Sequence, residues 1–440
     1  MILFTAFQAT GLVEQSVLEG VKNETTNGND FQGSGYISLA IVYVCATIAN
    51  ILAPAFVFIF GAPVSMFIGA STYFFYVFSF LLPMTWSFYL TSILLGFGAA
   101  ILWTAEGAYL ATNSDEHTTS RNTGIFWALF QSSLLGGNLY VYLSLKADVI
   151  TRSTRYPLFT VFSVVCAIAL AIYAYIIWRW LIERRQQQLQ LEPVKRKTAL
   201  SDVVETLNIA VRLLRTRNML LLLIPFAYTG FSQTFFQTVY ATCIGHSIKY
   251  GNTRKRLIGL HGVLLGIGEI VGGGLFGFVT KPKTSSQCAL VILIGFFLQI
   301  VFYYSAWINF PADAPARETN IESYFQFSSS SSQIIAFVGS FVVGLGDSAL
   351  NTQLFSVLAS RFKSTSASAF ALFQLVQGIA AAISFFYAGS LDLQYQLLIV
   401  VVFLVLNALT FFGVLFGEIT SQSLKDECEQ ENEVSPLLTT

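Results

Sequence analysis

The stretch RRQQQLQLEPVKRKTALSDVVETLNIAVRLLRTRN, Arg184 to Asn218, is the longest hydrophilic break in an otherwise oily sequence. On either side lie several apolar runs of about 20 residues, the length an α-helix needs to cross a hydrocarbon core about 30 Å thick. The chain therefore reads as two membrane-embedded halves joined by a basic linker. The expected divisions are a helix bundle over residues 1–181, the linker over 182–217, a second bundle over 218–418 and a disordered cytosolic tail over 419–440.

Composition agrees. With 54% hydrophobic residues, 11% charged and a mean hydropathy of +0.64, the chain is no soluble globular domain, in which about a quarter of residues are charged. The apolar runs are continuous rather than alternating, which selects helices over a barrel. A formal net charge of zero gives no support to nucleic-acid binding. Five cysteines without a CxxC pair indicate neither a disulfide framework nor a zinc site, and three dispersed histidines without HExxH argue against a metal enzyme. No nucleophile, metal or phosphate-binding constellation is present, so neither an enzyme nor a cofactor is expected.

Met1 to Leu12 is apolar but about half the length of a span, and reads as the second half of a truncated first helix. Val13 to Gly35 reads as a polar loop with Glu14, Glu19, Lys22, Glu24 and Asp30, and its Asn23-Glu24-Thr25 sequon makes Asn23 a glycosylation site if the loop faces the lumen or exterior. Further spans are expected at Tyr36–Phe60, Val64–Leu82, Ser87–Thr112, Gly124–Leu145 and Leu158–Leu181. After the linker they follow at Met219–Ile244, Leu257–Thr280, Gln287–Phe310, Gln333–Ser360, Ala367–Gly389 and Tyr395–Gly417. That makes about twelve. A cytosolic amino terminus puts Arg121, the linker cations, Lys281, Lys283, Arg361, Lys363 and Lys425 inside, as the positive-inside rule prefers; Lys249, Arg254, Lys255 and Arg256 run against it. Within the linker, Leu200, Val203, Val204, Leu207, Val211 and Leu214 share one helical face, which suits a helix lying on the cytosolic membrane surface.

The halves resemble each other. LLGFGAAILWT (Leu94–Thr104) aligns with VVGLGDSALNT (Val342–Thr352), and ALFQ at Ala128–Gln131 recurs at Ala371–Gln374; a weaker match pairs IANILAP (Ile48–Pro54) with IGEIVGG (Ile267–Gly273). In this order they indicate a six-plus-six duplication, the layout of transporters with a central cavity between parallel repeats. The pairs Gly96/Gly98 and Gly344/Gly346 would allow close helix approach.

FTAFQATG (Phe4–Gly11), LWTAEGAYL (Leu102–Leu110), RNTGIFWALFQSS (Arg121–Ser133), GIGEIVGG (Gly266–Gly273) and GLGDSALNTQ (Gly344–Gln353) carry a resemblance to the major facilitator superfamily, and within it to the UNC-ninety-three-like branch. The resemblance implies an all-α membrane protein with a facilitator-type fold of about twelve helices in two six-helix repeats. It implies solute carriage less firmly, since some relatives serve as trafficking chaperones or channel-associated subunits. The superfamily's usual G-x-x-x-D-[RK]-x-G-R signature is absent; the corresponding turn begins GAPVS at Gly61–Ser65.

An ionisable group at membrane depth costs several kcal/mol unless paired, neutralised or hydrated, which makes it a functional candidate. Glu106 and Asp347, on helices that line the cavity in a facilitator fold, are the leading candidates for a proton or solute site, with Glu269 third because its flanking glycines suggest tight packing. Each has a second reading as a hydrogen-bonded packing residue. Gln131, Gln374 and Asn351 would bind a polar solute or clasp helices together. Trp103 and Trp127 have a weaker claim as pocket walls, and Asp115, Glu116, His117 and Arg121 form either an ion-pair latch or a solvated turn. In the tail, Glu433, Leu437 and Leu438 match the acidic dileucine pattern E-x-x-x-L-L read by endolysosomal sorting adaptors. The expectation is an integral membrane carrier of an unidentified small solute, proton-coupled if the carboxylates serve it, endolysosomal by its tail or else of the plasma membrane or endoplasmic reticulum; the alternative is an accessory protein for membrane-protein clients.

Overall fold

The computed structural model describes residues 1–24, 31–114, 119–146, 150–188, 208–279, 285–362 and 365–434. Its principal elements are α1 (Ile2–Glu24), α2 (Gly35–Ala49), α3 (Ala53–Phe60), α4 (Ala62–Ser79), α5 (Thr85–Thr112), α6 (Thr119–Ser144) and α7 (Arg152–Gln188). The second half contains α8 (Arg217–His246), α9 (Arg254–Val279), α10 (Ser285–Asn309), α11 (Ser329–Arg361), α12 (Ser366–Ala388) and α13 (Leu393–Val434). Nine of these are long and apolar enough to cross a membrane, and α2 with α3 makes a tenth such span, bent by 68° where Pro54 opens α3. Each expected span falls on these elements, Tyr36–Phe60 on the bent pair α2 and α3, while α1 and α6 are less apolar than the rest.

The first helix does not stop at Leu12. It runs for 23 residues, about 35 Å at 1.5 Å per residue, so Val13 to Glu24 is helix rather than loop. Val13, Val17, Leu18 and Val21 carry its apolar packing onward, and Glu14, Gln15 and Ser16 are buried with them. Glu14, Gln15 and Ser16 are sheltered because α1 is packed among α4, α6, α7, α8 and α9 and not laid against lipid, whereas Lys22 and Glu24 in its last turn are exposed.

The two halves repeat one packing scheme. In the first, α5 packs on α2 and α4, and α1 on α6 and α7; in the second, α11 packs on α9 and α10, and α8 on α12 and α13. The glycines make this possible. A Cβ on Gly96 would lie 2.5 Å from Cys45 Cβ and 3.0 Å from Ala46 N, while one on Gly344 would lie 2.9 Å from Glu269 N. Likewise Gly98 meets Thr72 of α4, and a Cβ on Gly346 would lie 3.1 Å from Leu298 Cβ of α10. These contacts place Ala46 opposite Glu269 in the repeat. The weaker match, which aligned Asn50 with Glu269, is thus displaced by four residues, about one helical turn.

Two seams join the halves, α6 against α9 and α2 against α12. At the end of the bundle opposite residue 1, here the far end, the clasp is polar. Glu19 of α1 and His246 of α8 approach to 2.5 Å, His246 Nδ1 donates to the Ala314 carbonyl at 2.7 Å, and the Tyr36 hydroxyl donates to the Pro315 carbonyl at 3.1 Å. The cations that opposed the charge rule lie here too. Arg254 and Lys255, both buried, reach Glu318 at 2.8 Å, Lys249 donates to the Asn309 carbonyl at 3.0 Å, and the Arg256 guanidinium lies 3.9 Å from the Tyr142 ring centroid. They serve internal contacts rather than an open loop, and Asn23 is exposed at the same end.

At the near end, α7 continues to Gln188 and α13 to Val434, beyond the expected boundaries at 181 and 418. The tail segment SQSLKDECEQENEV contains neither Gly nor Pro and several good helix formers, so helix persists where disorder was expected. Residues 435–440, with Leu437 and Leu438, lie outside the described residues, as do 189–207, where most of the amphipathic linker helix was expected, and Asp115, Glu116 and His117. Glu433 falls in the last turn of α13.

Candidate functional site

The close approach of α9 to α11 decides where the carboxylates sit. Gly268 and Gly272 let α11 in: a Cβ on Gly268 would stand 3.0 Å from Leu345 N, and one on Gly272 would stand 2.7 Å from Ser348 Cβ. The Ser348 hydroxyl then donates to the Glu269 carbonyl at 2.7 Å. With one side of α9 committed to α11, the Glu269 side chain turns to the α6 seam, where Gln131 Nε2 donates to its Oε2. Glu269 is 5% exposed, so this amide supplies a donor that water cannot.

Asp347, half-buried in the middle of α11, accepts a hydrogen bond from Asn351 Nδ2 at 2.8 Å. It lies within electrostatic reach of Glu269 and of Tyr228 and Tyr303. Those tyrosines form a hydroxyl cluster on α8 and α10: Tyr228 to Tyr303 at 3.2 Å and Ser232 to Tyr303 at 2.8 Å. The result is a mid-depth polar group of two carboxylates, two amides and three hydroxyls, drawn from α6, α8, α9, α10 and α11. Such a group can bind a polar solute or a cation and can exchange protons.

Of the residues expected at the site, Glu269, Gln131, Asp347 and Asn351 come together. Glu106 does not join them. It is half-buried in the first half, six residues before the end of α5 and within electrostatic reach of Tyr73 and Tyr173. Gln374, the repeat counterpart of Gln131, is exposed on α12, while Gln377 donates to Gln233 of α8 at 3.4 Å. Trp103 lies among rings of the first half, 5.2 Å from both Phe4 and Phe130. The glycines around Glu269 do mark tight packing, yet they also aim the carboxylate. The hydroxyls of Tyr228, Ser232 and Tyr303 went unnoticed in the sequence, where tyrosine and serine are too common to stand out.

Two six-helix repeats with a polar group at mid-depth on their seam define a major facilitator-type membrane protein. Solved structures with this fold include the nucleoside transporter NupG, with a TM-score of 0.56, 14% identity and coverage of 94% of this chain and 98% of that one. Another is a D-xylose-proton symporter, with a TM-score of 0.59, 11% identity and 94% of each chain covered. At such identities the likeness is one of fold. Residues 29–412 match the family model described as UNC-93, ion channel regulatory protein UNC-93, and the chain belongs to that family. It is 39% identical over 435 residues to UNC93-like protein MFSD11 of Xenopus laevis, covering 96% of this chain and 95% of that protein. It is 27% identical over 393 residues to UNC93-like protein 3 of Arabidopsis thaliana, covering 86% and 78%. The chain is thus a multi-pass integral membrane protein of the UNC-93 family.

Proposed function

We propose that this protein is a facilitator-type carrier of a small polar solute, bound at the group formed by Glu269, Gln131, Asp347 and Asn351. The observation that carries this reading is the Gln131–Glu269 hydrogen bond across the α6–α9 seam. A side chain from each half meets there, so a solute that competes for either group changes how the halves hold together, which is what alternating access requires. Two carboxylates within electrostatic reach of each other repel when both are ionised, which suits a site that takes up a proton or a cationic solute. Glu106, nearer the end of its helix, is assigned a secondary contact on the exit path.

On this reading the amino terminus, the linker and the tail are cytosolic, Asn23 is glycosylated at the opposite face, and Glu433 with Leu437 and Leu438 directs the protein through sorting adaptors to endolysosomes. A second reading, an accessory subunit for a membrane-protein client, draws on the family's printed description as ion channel regulatory and on the missing gating signature at Gly61–Ser65. Binding separates them. The purified protein is screened by thermal stabilisation against a library of polar metabolites, beside Glu269→Gln and Asp347→Asn. A ligand that stabilises wild type and not the double variant supports the carrier. Stabilisation by no metabolite, with a membrane protein co-purifying equally with both forms, supports the accessory role.

A further inference from the structure

Glu14 belongs to neither the central site nor the far-end clasp. Its side chain on α1 is 0% exposed, and Oε2 lies 2.6 Å from the Tyr76 hydroxyl of α4. From Tyr76 a line of hydroxyls continues to Ser38 of α2 at 3.0 Å and to Ser92 of α5 at 3.0 Å. It ends on the Phe88 carbonyl, 2.8 Å from Ser92. Glu14 Oε1 is buried without a hydrogen-bond partner among the described residues. Aromatic rings wall the line: Phe80 and Phe88 meet at 5.4 Å, Tyr76 lies 5.5 Å from Phe80, and Phe159 stacks on Phe80 at 4.6 Å.

The state of this carboxyl is constrained first by solvation. Tyr76 and Ser38 are the groups that bear on it, and among the described residues no cation does; Glu19, the next acid along α1, is engaged with His246 and Gln15. An ionised carboxylate here would be a buried charge with one bare oxygen, an arrangement that costs several kcal/mol. A protonated carboxyl leaves only a neutral carbonyl oxygen bare.

The supply of hydrogens constrains it as well. The line has four links and three hydroxyl groups, and it ends on a carbonyl that can only accept. With Glu14 ionised, Tyr76 donates to it, and the two serine hydrogens cover only two of the three links that remain. With Glu14 protonated, all four links hold a hydrogen and point from Glu14 through Tyr76, Ser38 and Ser92 to Phe88.

We propose that Glu14 is a proton-binding site, its neutral carboxyl heading a hydroxyl chain that ties together α1, α4, α2 and α5. Release of the proton turns the Tyr76 hydroxyl back to the carboxylate, leaves one link of the chain without a hydrogen and bares a charge, so it requires α1 to part from α4 far enough for water to enter and take the proton. Occupancy of the site is thereby linked to the position of α1, the helix whose Glu19 clasps the other half.

The test is infrared spectroscopy of the full chain in nanodiscs at neutral pH. A carbonyl band of a protonated carboxylic acid that disappears in Glu14→Gln, and survives in the Glu269→Gln, Asp347→Asn double variant, is the expected result. Tyr76→Phe should move that band to higher frequency without abolishing it, because the acceptor is lost and the proton stays. If wild type and Glu14→Gln have the same protonated-acid bands, Glu14 is ionised and the proposal falls. Should Glu14→Gln fail to fold, a Tyr76→Phe band that does not move overturns it equally. The readout involves no transport, so failure of the carrier reading leaves this result untouched.

Discussion

Replacing Gly344 by alanine puts a methyl group where α9 already stands. The new Cβ would lie 2.9 Å from Glu269 N and 3.2 Å from Gly268 C, against ordinary carbon contacts of about 3.5–4 Å. Both neighbours are backbone and cannot rotate away, so α9 and α11 must separate by roughly 0.5–1 Å. Overpacking of this kind costs about 1–3 kcal/mol, partly offset by about 0.5–1 kcal/mol from replacing glycine inside a helix. Gly273→Ala is the control, since a Cβ there meets nothing within 4 Å and only the helix gain remains. Gly344→Ala should therefore be less stable than Gly273→Ala by about 2 kcal/mol. Gly96→Ala, its repeat counterpart, should behave like Gly344→Ala. Thermal unfolding in detergent, followed by size exclusion, measures the order. If Gly344→Ala were as stable as Gly273→Ala, the claim that glycine contacts set the α9–α11 spacing would be wrong.

Gln131→Ala removes the seam donor from buried Glu269 and should destabilise the protein by about 1–3 kcal/mol. Adding Glu269→Leu should recover part of that loss in a double-mutant cycle of unfolding temperatures; purely additive effects would show that the two do not interact. His246→Ala removes the Glu19 contact at the far end and should lengthen the distance between spin labels on the far ends of α1 and α8, whereas an unchanged distance distribution would mean that the contact does not hold the halves. Glu318→Gln leaves Arg254 and Lys255 without their anion and should lower stability. The loss should be about 1–2 kcal/mol, below the 3–5 kcal/mol of a fully buried pair because Glu318 is 37% exposed. Wild-type stability in that variant would show those cations to be hydrated rather than paired.

Much of this fold is legible in the sequence because lipid imposes a simple rule of long apolar helices. Leu94–Thr104 and Val342–Thr352 identify the repeat correctly because their glycines meet equivalent neighbours, Gly96 on α2 and Gly344 on α9, Gly98 on α4 and Gly346 on α10. The match at Ile48 is out of register because Ile48–Pro54 has no glycine to set against Gly268, Gly272 and Gly273, so apolar residues alone carry the alignment. Helix α1 misled for a related reason: Glu14, Gln15 and Glu19 look like a loop when lipid is assumed to surround every span, and only the bundle shows them sheltered. Their helical signal was present in Val13, Val17 and Val21, spaced four apart. The candidate site is legible by residue type and not by pairing. Gln131 meets Glu269 across 138 residues and Glu19 meets His246 across 227, separations that no local pattern encodes.

The most direct test of the carrier reading is metabolite profiling of endolysosomes and total membranes from knockout cells, rescued with wild type or with Glu269→Gln, Asp347→Asn. The account predicts one class of polar metabolite that accumulates in the knockout and returns to normal with wild type alone. Full correction by the double variant, or no metabolite change while another membrane protein loses abundance, would contradict it.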